Sequence, residues 1–287
     1  MTNNPLISVI IPARNESQYI GEAIESIRKQ TYQNIEIIVI DDHSTDNTKD
    51  IVQSLMLKDS RISYYLSEDK DKKKTNWRGY DIDGGYSGRK FGFTKAKGEL
   101  ITFEDADDAS YLNRIEVEFD LLKKYNATLV TTQWQQLKTD RLNKQFDIDN
   151  FFKDNDEDNI VIRPETLYKM SQESKGILMK DWFPHNITPF PIKWFKLTRP
   201  LFFSKTYPYP GVGSSALFKR EVLEKVNFRK RDERIWPATS GRGQDRDFLF
   251  QVAETFKNSY SFKIPLYLWR VRSEPEEFQM FDKYIIQ

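Results

Sequence analysis

Cysteine is absent from all 287 residues, which excludes disulfide scaffolds, zinc ribbons, iron–sulfur clusters and thiol nucleophiles. Histidine is nearly absent: only His43 and His185 occur, so a three-histidine metal site is impossible. Neither sign of charge is in excess, with Lys+Arg 44 against Asp+Glu 43. A near-neutral chain argues against a dedicated duplex-DNA binder, and no nucleic-acid partner is expected. Long apolar runs are also missing. The longest near the start, Ile7 to Ile11, is broken by Ser8 and closed by Pro12. It is too short to cross a bilayer and lacks the charged leader of a signal peptide, so the cytosol is the expected compartment. With thiols gone and imidazoles scarce, carboxylates are the main general bases left. Aromatics are plentiful at 14%, enough for a substantial core and for surfaces that stack on bases or sugar rings.

The first third alternates strand and helix. Apolar, β-branched runs at Leu6 to Ile11, Ile35 to Ile40 and Ile62 to Leu66 read as buried strands. Between them, Ile20, Ala23, Ile24 and Ile27 recur at helical spacing after Asn15, a candidate cap. Ile51, Val52 and Leu55 do the same after Ser44 or Asp46. Residues 67 to 88 read as a long loop with a charge cluster and a glycine-rich end. A helix is expected from about Arg89 to Ala96 and a strand over Leu100 to Phe103. Ser110 is expected to cap a helix carrying Leu112, Ile115, Phe119 and Leu122, with a strand over Thr128 to Trp134 after it. This order predicts an α/β fold with a mostly parallel sheet and right-handed crossovers. After residue 140 the alternation fails. Asp147 to Asp158 reads as a solvated acidic loop, Leu217–Phe218 as a short strand before a helix over Arg220 to Val226, Asp245 to Phe256 as a helix and Ile264 to Arg270 as a last strand.

Three polar clusters fall at strand ends. Asp105-Ala-Asp107-Asp108 closes the fourth strand, and alternating carboxylates there suit a hard divalent cation shared with substrate phosphates. A solvated turn is the competing local reading. An EF-hand is rejected, because Ser110 stands where the loop requires glycine. Asp41-Asp42 closes the second strand, where an acid accepts hydrogen bonds from a ribose or base, or else begins an Asx-turn. His43 reads as a turn residue. Pro12-Ala-Arg14-Asn15-Glu16 follows the first strand at a helix start, a place suited to a nucleotide or simply a cap.

Taken together, the segments ISVIIPARNESQYIGEAIESIRKQTYQNIEIIVIDDHSTDNTKDIV and GRKFGFTKAKGELITFEDADD resemble the two opening blocks of the family 2 inverting glycosyltransferases, which have the GT-A fold. In the second block Arg89, Gly92, Ala96-Lys-Gly98 and Asp105-Ala-Asp107 come in the family's order. The resemblance covers roughly residues 5 to 125. It implies a nucleotide-sugar-binding half, 1–135, and an acceptor half, 136–287, of one GT-A domain. It implies transfer of a sugar from a nucleotide-sugar, most commonly UDP-linked, to a hydroxyl of a glycan or lipid-linked acceptor, with inversion. Pro12, Arg14, Glu16, Asp42, Arg89 and Asp105 would hold the donor, and Asp107 an Mg²⁺ or Mn²⁺ ion. GVGSSALFKREVLEKV resembles the acceptor-side block, with Gly213 and Ser214, and GRGQDRDFLFQV the block carrying the base. Gln244-Asp245 stands where the family usually has Glu-Asp, so the base role passes to Asp245 and Gln244 is left as an acceptor-side residue. Arg270 and Arg272 sit in a segment that often reads Arg-x-His, and Arg270 is a candidate diphosphate contact.

From Trp182 to Arg220 there is no Asp or Glu, while aromatics and Lys or Arg abound. The stretch reads foremost as packing around the site. The other reading is an acceptor surface, including Trp194, or a peripheral contact with anionic headgroups at the inner face of a membrane. Two other functional classes compete with transfer. A nucleotidyltransferase would open with a glycine-rich basic phosphate loop, which Pro-Ala-Arg-Asn-Glu is not, and an inactive sugar-binding scaffold would have lost the DxD or the base.

Overall fold

A computed structural model describes residues 4–68, 85–178, 187–204, 207–230, 233–236, 243–271 and 285–286. Most of the 67–88 loop, His185, Lys205 and Arg272 lie outside these residues, as does the side chain of Trp194. The β-branched runs fold as expected into β1 (Ile7–Ala13), β2 (Ile35–Asp41) and β3 (Ile62–Leu66). β1 pairs in parallel with β2 on one side and with β4 (Leu100–Phe103) on the other, and β3 lies outside β2. Strands apolar on both faces need cover on both. Val9, Ile11, Ile37 and Val39 meet α1 (Ile20–Arg28) and α2 (Thr48–Met56), whereas Ile10, Ile38 and Ile40 meet α3 (Tyr86–Lys95). α3 approaches closely because Gly92 faces Ile10; a Cβ there would fall 2.5 Å from Ile10 Cγ2.

β5 (Ala109–Ser110), α4 (Arg114–Lys124) and β6 (Leu129–Gln136) follow. Next come β7 (Gln145–Phe146), α5 (Ile148–Asp154), α6 (Glu157–Ile160), β8 (Val161–Ile162) and α7 (Pro164–Ser174). Two short helices, α8 (Phe190–Trp194) and α9 (Arg199–Phe202), precede β9 (Leu217–Lys219), α10 (Gln244–Phe256), β10 (Ser259–Trp269) and β11 (Ile285–Ile286). The main sheet runs β3-β2-β1-β4-β9-β6-β10-β5, with β8 paired onto β10. β9 is antiparallel to both β4 and β6, and β10 is parallel to β6. The carboxyl ends of β1, β2, β4, β6 and β10 therefore share one edge. Strand order reverses between β1 and β4, the switch point at which open α/β sheets bind ligands.

Several expected caps and loops take another form. Asn15 is no helix cap: it sits at φ +55°, and its side chain accepts a hydrogen bond from the Thr45 N–H at 2.8 Å, while α1 starts after Tyr19. Ser110 lies in β5 and its hydroxyl donates to Glu104, so α4 starts only at Arg114. The acidic stretch holds α5 and α6, because Asp147 and Asp156 accept backbone N–H bonds as N-caps, while Asp149, Asp154, Asp156 and Asp158 remain exposed. The helix expected at Arg220 to Val226 is a 3₁₀ turn over Arg220–Glu224. Among the described residues no helix is long and apolar enough to cross a membrane.

Candidate active site

The loops after β1 and β2 are stitched to each other at the shared edge. The Asn15, Glu16 and Ser17 N–H groups donate to Ser44, Thr48 and Asp46 side chains at 2.9, 2.9 and 3.0 Å. Asn15 and His43 both adopt positive φ to make these tight turns, which gives His43 the turn role read from its neighbours. The two acids after β2 divide their work. Asp41 is buried and accepts from the Ser44 N–H and the Tyr64 hydroxyl at 2.8 and 2.6 Å, so the Asx-turn belongs to it. Asp42 lies 3.9 Å from the Arg14 guanidinium, at the mouth of the crevice. Pro12 packs against the start of α3, where Cβ atoms added to Gly85 or Gly88 would touch its ring.

Arg89 joins the two carboxylates singled out from distant parts of the chain. One guanidinium nitrogen donates to Asp105 and the other to Asp245. The first also donates to Ser214 Oγ at 3.1 Å, and that hydroxyl donates to Asp105 Oδ2 at 2.7 Å. The Arg89 side chain is 2% exposed, whereas Asp105 and Asp245 are 34% and 33% exposed, so a buried cation holds two carboxylates that face the opening. Burial works against the Arg89 charge, but Asp245 and Asp105 outweigh it and raise its pKa. Burial likewise raises the Asp245 carboxyl, with Arg89 opposing. The N-cap of α10 is Gly243 at φ +96°, so Asp245 is not the cap; it is turned onto Arg89 from the helix's first turn. Gly213 presses on it: a Cβ there would stand 2.2 Å from Asp245 Cβ.

The Asp105–Asp108 turn is braced from β10. The Asp105 N–H donates to the Tyr267 hydroxyl at 3.1 Å, and that hydroxyl donates to Asp108 Oδ2 at 2.9 Å. The Arg270 N–H donates to Asp108 Oδ1 and its Nε to the Asp107 carbonyl, both at 2.7 Å. The Arg270 guanidinium pairs with Glu22 and lies 4.4 Å over the Tyr19 ring. Burial, then Asp105 and Asp107, push the Asp108 carboxyl up to about 9. Beneath the turn, Arg114 reaches both Glu104 and Glu118 at 3.2 Å, and all three are fully buried. Among the described residues no three His, Cys, Asp or Glu side chains cluster closely enough to hold a metal by themselves. A hard cation at Asp107 would need its remaining ligands from outside these residues, as substrate phosphates can supply.

The sequence model for Glycosyl transferase family 2 matches residues 8–79. The glycosyltransferase GlyG of Streptococcus pneumoniae serotype 4 is 38% identical over 125 residues, 44% of this chain and 38% of that protein. Over residues 8–79 this chain carries the glycosyl transferase family 2 pattern. A GalNAc(5)-diNAcBac-PP-undecaprenol beta-1,3-glucosyltransferase of Campylobacter jejuni is 38% identical over 104 residues, 36% of this chain and 30% of its own length. The similarity thus spans less than half of these relatives. S. aureus TarS 1-349, solved in complex with UDP-GlcNAc, superposes with a TM-score of 0.54 at 16% identity, covering 94% of this chain and 59% of that one. The fold is GT-A.

Gly213, Ser214 and Gln244, expected on the acceptor side, lie near Asp245 and Arg89. Asp247, two residues on, is turned away: its carboxylate accepts from the Ile235 and Trp236 N–H groups at 2.7 and 3.1 Å and from Gln251. Two features escaped the sequence reading. Tyr267 is one. The other is a pair of tryptophans at the carboxyl ends of β6 and β10, Trp134 and Trp269, edge to face with centroids 4.9 Å apart and Trp269 43% exposed. Only strand register, which no local motif encodes, could have paired them.

Proposed function

We propose that this domain transfers a sugar from a nucleotide-sugar, a UDP-sugar foremost, to a hydroxyl of a glycan or lipid-linked acceptor, with inversion at the anomeric carbon. The observation that carries this is Arg89, which ties the donor-side Asp105 to Asp245 through one buried fork. Asp42, Arg14, Pro12 and Glu16 line the nucleoside end of the crevice, and Asp105 the ribose or sugar. Asp107 would hold Mg²⁺ or Mn²⁺ together with the diphosphate, and a bound cation neutralises charge on the leaving group. Asp245 accepts the proton of the attacking hydroxyl from the face opposite the diphosphate, as inversion requires. Arg89 aims Asp245 and opposes the burial that raises its carboxyl, and Ser214 holds Asp105 in place. Trp134 and Trp269 offer the acceptor sugar a stacking surface beside Gly213 and Ser214. Arg270, engaged with Glu22, the Asp107 carbonyl and the Asp108 carboxylate, braces the turn. The Campylobacter relative's name, a glucosyltransferase acting on an undecaprenyl diphosphate glycan, favours a lipid-linked acceptor.

Calorimetry with UDP tests the donor half. Binding should need Mn²⁺, fall sharply in Asp107→Ala and weaken in Asp42→Ala with the fold intact. Equal affinity with and without Mn²⁺ would remove the cation from the proposal, and an unchanged Asp42→Ala would leave that acid a turn residue.

A further inference from the structure

Ten large hydrophobic side chains stand exposed among the described residues, and seven of them fall between Ile177 and Leu201. The stretch ending at Leu178 and the one around Leu201 are hydrogen-bonded to each other. Lys175 pairs with Phe203 across an antiparallel bridge, the Leu178 N–H donates to the Leu201 carbonyl at 2.8 Å, and the Thr198 N–H donates to the Phe195 carbonyl at 3.0 Å. Buried Phe202 and Phe203 root this stretch in the core. The outermost tips are Ile177 and Leu197, each 79% exposed, with Ile187 at 66% and Phe195 at 60%. The packing role read foremost for this stretch falls to Phe202, Phe203, Tyr209, Leu217 and Phe218, while Ile187, Ile192, Phe195, Leu197 and Leu201 face outward.

Charge is equally one-sided. Between Trp182 and Arg220 the chain carries no acid, and of its Lys and Arg residues near the apolar tips Lys196 is exposed and Arg199 half-buried, while Lys193 lies in the interior. Lys196 stands exposed between Phe195 and Leu197. We propose that this apolar and basic surface docks on an anionic lipid bilayer. Apolar tips entering the headgroup boundary, with cations at its level, is the arrangement by which proteins lie on membranes without spanning them. A second copy of the chain fits less well, because a two-fold contact would bring Lys196 and Arg199 toward their own copies with no acid of the stretch to meet them. The segment runs on from Ser204 to the Gly213–Ser215 turn beside Asp245, so docking would hold the crevice at a set position above the lipid.

Co-sedimentation of the full chain with vesicles of phosphatidylcholine, with and without phosphatidylglycerol, tests the proposal. The protein should pellet with the anionic vesicles, stay in solution with the neutral ones, and be released by high salt. Phe195→Ser combined with Leu197→Ser should weaken binding by roughly tenfold or more, and Lys196→Glu should weaken it further. Because these side chains are exposed, circular dichroism and melting temperature should not change. Equal pelleting with neutral vesicles, or full binding by the Phe195→Ser/Leu197→Ser protein, would overturn the proposal. So would a dimer seen by light scattering that this double variant dissolves, which would make the surface a self-association face.

Discussion

Arg89 holds two carboxylates with one planar fork, and this sets the outcome of changes around it. Asp245→Asn keeps the shape and removes the proton acceptor. Turnover should fall by about 10² or more, the usual scale for a positioned base, while UDP affinity barely moves. Steady-state transfer alongside nucleotide titration checks this, and near-normal turnover would strip Asp245 of the role. Gly213→Ala should act on the same group from the other side, since its methyl would stand 2.2 Å from Asp245 Cβ and push the carboxylate off Arg89. Turnover should drop with UDP binding retained; equal losses in both would show a general disturbance instead. Asp247→Ala belongs to a different class. It removes the acceptor for two buried N–H groups, and chemical denaturation should register a loss of roughly 1–3 kcal/mol. At this scale Arg89, Asp105 and Asp245 were legible because their types and order carry the chemistry. Tyr267 was not, because its contacts span 162 positions along the chain and arise only from the β10–β5 pairing.

Strands read more easily than caps. β4 coincides with the apolar run that announced it, as a strand buried on both faces should, and the half-exposed outer strand β3 coincides with its run of β-branched and aromatic residues. Asn15, Ser110 and the acids between Asp147 and Asp158 were misplaced, because a polar residue near a helix start serves a cap, a turn or a cross-link equally well and tertiary contacts decide. The brace between β10 and the Asp105–Asp108 turn yields a prediction of its own. Tyr267→Phe leaves a buried carboxyl and N–H without their shared partner, which should lower stability and also weaken Mn²⁺-dependent UDP binding. A stability loss with unchanged Mn²⁺ dependence would reduce Tyr267 to a packing residue. Beneath the turn one cation, Arg114, serves two acids. Burial lifts the Glu104 carboxyl to about 8 and Glu118 to about 7, with Arg114 opposing. Between the ordinary glutamate pKa of about 4.3 and these raised values the native state binds more protons than the unfolded chain, so stability falls as pH rises. Glu104→Gln keeps an acceptor toward Ser110 and Arg114 but cannot titrate. Urea midpoints from about pH 5 to pH 8 should therefore slope less steeply in Glu104→Gln than in the parent protein.

For the whole molecule, one sheet runs from β3 through β9 to β5, so the strands at the donor crevice and the helix bearing Asp245 share a single core wall. Five of the six tryptophans follow residue 130, so their fluorescence reports the later part of the chain while far-ultraviolet circular dichroism reports all of it. The two urea transitions should coincide, and UDP with Mn²⁺ should shift both together. Separate midpoints would show that the parts unfold independently. The placement of β9 also bears on how the chain is made. On the ribosome β3, β2, β1 and β4 can assemble early, but β4 then shows a bare edge, and β6 emerges with neither neighbour yet synthesised. Only when β9 and β10 appear can the nascent sheet close, which leaves the free edge of β4 and both edges of β6 open to wrong partners until then.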